Sequence, residues 1–83
     1  MSEVPQKDTR ELTFGEKAVG LTFNPGGHEK VNAIKQAQAM YIDMLNQFRD
    51  ETTNGEVKRQ LSVAITEAQT SQMWAVKAVT WQY

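Results

Sequence analysis

The sequence predicts an all-α protein: an antiparallel two-helix hairpin with a short N-terminal helix or arm, assembled as a homo-oligomer. Three observations lead there. The run Glu56–Thr80 holds no proline and no internal glycine and is rich in good helix formers, which specifies a long helix. A short polar connection, Asp50–Gly55, separates it from a second apolar-periodic stretch over about residues 28–49, and a link that short makes the two helices antiparallel neighbours. The later helix, over about residues 55–80, carries apolar side chains on more than one side, so one neighbouring helix does not cover it.

In chain order, residues 1–12 are polar and include Pro5, and read as a flexible N-terminus ahead of a hairpin domain over 13–83. Thr13 and Glu16 have capping-box spacing, so a short helix from Phe14 to about Val19 is expected, stopped by Gly20. Leu21–Asn24 is short, apolar and β-prone and reads as extended. Asn24-Pro25-Gly26-Gly27 reads as a type II turn, with Gly26 supplying the positive φ of the second central position. On the first long helix Val31, Ile34, Ala37 or Gln38, Tyr41, Leu45 and Phe48 form a stripe widened by Ile42 and Met44. Thr53 and Glu56 repeat the capping-box spacing and start the second long helix. There Val57, Leu61, Ala64, Ala68, Ser71, Ala75 and Val79 make a seam of mostly small residues, flanked by Ile65, Met73 and Val76. Thr66, Thr70, Trp74, Lys77 and Trp81 form a further, polar and aromatic, stripe.

Composition narrows the function. A chain of 83 residues is at most one domain and buries a limited core. With no Cys, neither disulfides nor thiolate metal sites support it, which leaves helix packing or partner subunits. A net charge of −1 gives no basic field for long nucleic acid. No apolar run approaches the roughly 20 residues of a membrane span. A soluble, cytoplasmic protein is the expectation.

His28 is the only histidine, with no base, nucleophile or metal-ligand set beside it in the sequence; a solvated residue or a ligand contact suits it better than catalysis. Lys35 follows Ile34 at the edge of the apolar stripe, and Lys77 lies one turn from both Trp74 and Trp81. A lysine so placed either snorkels from a core edge or neutralises a phosphate while the rings stack on bases. Phe23 and Asn24 pair an aromatic face with an amide able to read a base edge; a hydrophobic plug and a turn-forming Asn are the alternative. The amides of the turn around Gly26 suit an anion.

The segments Phe23-Asn24-Pro25-Gly26-Gly27 with Val31-Asn32-Ala33-Ile34-Lys35, then Ala64-Ile65-Thr66-Glu67-Ala68 with Met73-Trp74-Ala75-Val76-Lys77-Ala78, resemble the small phage-encoded helical hairpin proteins that act as anti-CBASS sponges. The same hairpin domain occurs in anti-Thoeris sponges. The resemblance spans about residues 13–81. It implies a non-enzymatic, cofactor-free hexamer, acting in the host cytoplasm, that sequesters cyclic oligonucleotide immune signals without cleaving them. Cyclic dinucleotides such as cyclic GMP–AMP would sit between subunits, and cyclic trinucleotides such as cyclic triadenylate in separate pockets. Anti-Thoeris members bind cyclic ADP-ribose isomers. The resemblance puts phosphate on Lys35, the end of the Asn-Ala-Ile-Lys motif, and an aromatic upstream on a base; Phe23 is the choice and Phe14 the reserve. It puts a second phosphate on Lys77, where some members have Arg, so that a point charge replaces a bidentate fork. Asn24, Thr66, Trp74 and the Gly26 turn complete the expected ligand-binding set. The competing expectations are a protein-interaction hairpin and a phosphodiesterase, the latter disfavoured by one His, no Cys and no evident carboxylate cluster for a metal.

Overall fold

The computed structural model describes residues 10–83. The flexible lead-in expected over 1–12 therefore lies, up to residue 9, outside the described residues. Three helices follow in order: α1 (Phe14–Ala18), α2 (Glu29–Glu51) and α3 (Gly55–Val79), with no strand among the described residues.

α1 starts with the capping box read from its sequence. Thr13 Oγ1 accepts from the Glu16 amide at 3.1 Å, and the Glu16 carboxylate accepts from the Thr13 amide at 2.9 Å. Arg10 adds an ion pair to Glu16 at 2.8 Å, which together with the capping bonds holds the Glu16 carboxyl below its ordinary value. The helix ends in a Schellman motif. Gly20 takes φ +63°, its amide reaches Lys17 O, and the Leu21 amide reaches Glu16 O.

Leu21–Asn24 is not extended. The Phe23 amide bonds back to Gly20 O and the Asn24 amide to Thr22 O, so the segment is a chain of turns. An extended segment here would have no neighbouring strand among the described residues to pair with, whereas the turns pair these groups locally. The next turn, closed by Gly27 N–H to Asn24 O at 2.9 Å, is not type II either. Positive φ falls on Gly27 (+61°), not on Gly26. Asn, Pro and Gly then occupy the first, second and fourth places of a type I turn, where each is favoured.

α2 begins at His28, whose Nδ1 accepts from the amides of Lys30 and Val31. α3 begins at Asn54, whose Oδ1 accepts from Glu56 and Val57 at 2.9 and 3.1 Å. Asn54, not Thr53, is thus the N-cap; an Asn oxygen one residue later reaches the same orphan amides. Lys58 Nζ caps the end of α2 through Arg49 O at 2.8 Å, and Arg49 reaches across to Ser62 at 2.9 Å.

α2 and α3 run antiparallel. The core is Val19, Ala39, Ile42, Leu45, Ile65 and Ala68, with Ile42 sealed completely. The buried side of α2 reads Val31, Lys35, Ala39, Ile42, Leu45. This is rotated from the stripe expected from sequence: Tyr41, Met44 and Phe48 each keep more than two-fifths of their surface exposed. On α3, Gln72 is buried where Ser71 was expected, and Val57 and Met73 face solvent.

α1 lies on α2 closely enough to exclude a side chain. A β-carbon on Gly15 would overlap the Ala39 carbonyl oxygen and stand 2.9 Å from its carbonyl carbon. Gln69 of α3 donates to Ala18 O at 3.2 Å and ties α1 to both long helices. The Cα trace is only 12 Å thick along its shortest axis.

Candidate functional site

Two grooves bring the lysines and aromatic rings together, on different sides of the molecule. The first, of about 260 Å³, lies where the Phe23–His28 turn meets α2 and the end of α3. Its walls are Phe23, Asn24, Pro25, Gly26 and His28, with Val31 and Lys35 from α2 and Val76 and Thr80 from α3. The turn is there because α1 ends in Gly20 and α2 starts at His28, so the chain must double back between them.

Lys35 is not at the edge of a stripe. It keeps only 6 % of its surface exposed. Its ammonium donates to Gly20 O at 3.0 Å and to Phe23 O, and stands 5.4 Å from the centre of the Phe23 ring. A charge buried this deeply needs such partners, and the turns supply two carbonyls that no helix or sheet uses. An ammonium has three donors, so one is left for the groove. Phe23 itself is 72 % exposed, its backbone fixed by Lys35 and its ring free on one face.

Asn24 corrects a second expectation. Its side chain accepts from the His28 amide at 3.1 Å and donates to His28 O at 3.0 Å. The amide braces the turn and is not free to read a base edge. The turn amides narrow in the same way. Pro25 has none, and those of Gly27 and His28 are spent on Asn24, which leaves that of Gly26. Phe14, the reserve aromatic, lies under Arg49, 5.5 Å from its guanidinium, and lines neither groove.

The second groove, about 240 Å³, runs along α3 between Thr70, Met73, Trp74 and Lys77. The 3.6-residue repeat puts Thr70, Trp74 and Lys77 on the side of α3 opposite Ile65, Ala68 and Gln72, and Trp81, just past the end of the helix, comes to the other side of the Lys77 ammonium. Trp74 and Trp81 are accordingly 65 % and 60 % exposed. Lys77 Nζ lies between them, 4.9 Å from the Trp74 ring centre and 5.6 Å from that of Trp81. Trp81 meets Tyr83 edge-on at 5.4 Å. Thr66 stands one turn before Thr70 and does not line this groove; its carbonyl accepts the Thr70 hydroxyl at 3.2 Å.

Pro25, Val31, Val76 and Thr80 of the first groove and Thr70 and Met73 of the second were not among the expected ligand-binding residues, and His28 was offered as a ligand contact without being placed beside Lys35. The pairs Val31/Lys35 and Val76/Thr80, each four apart, were the available signal. Among the described residues no group of three or more His, Asp or Glu side chains is placed to hold a metal, and no helix is long and apolar enough to cross a membrane.

The arrangement offers cations beside exposed aromatic faces, which suits planar, anionic ligands. No curated protein and no solved structure matches the chain. The family model described as Acb2/Tad1, hairpin domain, matches residues 16–80. With the helical hairpin, both lysine motifs and the turn inside that span, the chain belongs to the Acb2/Tad1 hairpin family of anti-CBASS and anti-Thoeris sponges.

Proposed function

We propose that this protein is a sponge that binds cyclic oligonucleotides, cyclic dinucleotides such as cyclic GMP–AMP first and cyclic trinucleotides second, and holds them uncleaved. The observation that carries this is the ammonium of Lys35 under the exposed Phe23 ring in one groove. The ring offers a stacking face, and the ammonium a charge for phosphate. The Lys77 groove, flanked by Trp74 and Trp81, repeats the chemistry on another face and suits the second ligand class.

The working form is a homo-oligomer, a hexamer by family analogy. Ile34, Tyr41, Met44 and Phe48 line the side of α2 turned from its own core, and three of the four are substantially exposed, which supports burial against another copy. As a phage product it acts in the host cytoplasm, where stoichiometric capture keeps the signal from its effector.

Calorimetric titration with cyclic GMP–AMP, cyclic triadenylate and cyclic ADP-ribose isomers tests the reading. Ligand released by heating should be chromatographically unchanged. Absence of binding across the panel, or recovery of a linear product, overturns it.

A further inference from the structure

We infer that the imidazole of His28 is a ligand-contacting group in the Phe23–Lys35 groove, its Nε2–H donating to a phosphodiester oxygen; this rests on the sponge reading above. His28 Nδ1 is 3.2 Å from the Lys30 amide and 3.4 Å from the Val31 amide. Both amides can only donate, so Nδ1 must be the acceptor. A neutral imidazole with an accepting Nδ1 carries its proton on Nε2. The cap therefore fixes the tautomer and turns the remaining ring nitrogen into a donor.

That donor belongs to a residue lining the groove with Lys35 and Phe23. No side-chain or backbone acceptor within the described residues takes it; the recorded side-chain bonds of His28 all run through Nδ1. The other donors in the same groove are the third proton of the Lys35 ammonium and the Gly26 amide. The start of α2 adds the positive end of a 23-residue helix. A set of donors with no free carboxylate in the groove wall selects an anionic oxygen. Asn24, His28 and Lys35 thus divide the work: Asn24 shapes the turn, Lys35 fixes Phe23 and supplies charge, and His28 supplies a directed hydrogen bond.

The test separates capping from contact. His28→Asn keeps a side-chain acceptor at the cap, since Asn is among the best N-cap residues, but removes the ring donor. Its melting temperature should match the parent, while its affinity for cyclic GMP–AMP, measured by calorimetry, falls about ten-fold, the usual effect of losing a hydrogen bond to a charged group. His28→Ala should lose both. Long-range proton–nitrogen spectra of the free protein should show the Nε2–H tautomer, and addition of cyclic GMP–AMP should move the Nε2 resonance. Parent-like affinity in His28→Asn, or an Nδ1–H tautomer in the free protein, overturns the inference while leaving the sponge reading intact. A parent protein that binds no cyclic nucleotide overturns both.

Discussion

Gly15 donates its backbone amide to Asp43 Oδ1 at 2.7 Å across the contact between α1 and α2. The bond exists because Gly15 has no side chain to hold the helices apart. Gly15→Ala should therefore destabilise the protein by about 1 to 3 kcal/mol, although alanine is the better helix former. Overlap with rigid backbone at Ala39 outweighs a propensity gain of about 1 kcal/mol. Denaturant unfolding of Gly15→Ala and of Asp43→Ala checks this. A stabilised Gly15→Ala would show that α1 does not seat as described.

Lys35 holds the Phe23 turn as well as presenting charge. Lys35→Met keeps much of the buried stem but removes the partner of Phe23 O and leaves Gly20 O with the Phe23 amide alone. The expected loss is about 1 to 3 kcal/mol, chiefly from one part-buried acceptor left without its partner. Thermal melts of the unliganded protein measure it directly. Loss of ligand binding in this variant would thus report a displaced ring as much as a missing charge.

Met44 and Phe48 lie on the outward side of α2. Replacing both with Glu should leave the helices formed and reduce the assembly to monomers, read by sedimentation together with circular dichroism. An unchanged sedimentation coefficient would place the intersubunit surface elsewhere.

Lys77 between Trp74 and Trp81 makes indole fluorescence a reporter for the second groove. Lys77→Ala should weaken cyclic triadenylate by about ten-fold or more, through loss of a charge-assisted contact, and leave cyclic GMP–AMP unaffected. Raised salt should weaken triadenylate binding to the parent more than to the variant.

Acid should act first on two carboxylates in the first turns of α1 and α3. The carboxyls of Glu16 and Glu56 are held below the ordinary 4.5, Glu16 chiefly by its hydrogen bond with Arg10 and Glu56 by that with Arg59. A lowered value in the folded state means that these bonds stabilise above pH 4.5 and are lost as pH falls through and beneath it. Melting temperature should decline over that range, and less steeply in Arg10→Ala with Arg59→Ala. The effect is small because Arg10, Arg59 and Glu56 are exposed to solvent and Glu16, though more covered, pairs with an exposed partner.

The helices, their caps at Thr13 and their antiparallel order were legible because each rests on local chemistry. The phase of α2 was not. Tyr41, Met44 and Phe48 make as good a stripe as Ala39, Ile42 and Leu45, and a helix apolar on two sides does not announce which side meets its own partner. Lys35 was misplaced for a related reason. A lysine is assigned to an edge unless its acceptors are known, and Gly20 O and Phe23 O become acceptors only once the turns have formed. A turn-forming Asn24 was one of the two readings the sequence left open; its partner, the backbone of His28, is close in sequence but takes up its position only through the Gly27 bend. The pairing of Lys77 with Trp74 could be read in advance, since both lie on α3; Trp81 meets the same ammonium from just past the helix end.

A Cα trace 12 Å through its thinnest dimension is little more than one helix deep. Such a blade has two outsides and no interior chamber, so a guest resting on it stays half wet until a second blade closes over it. If a second copy supplies that cover, as proposed above, then dilution should loosen the guest by taking one wall away.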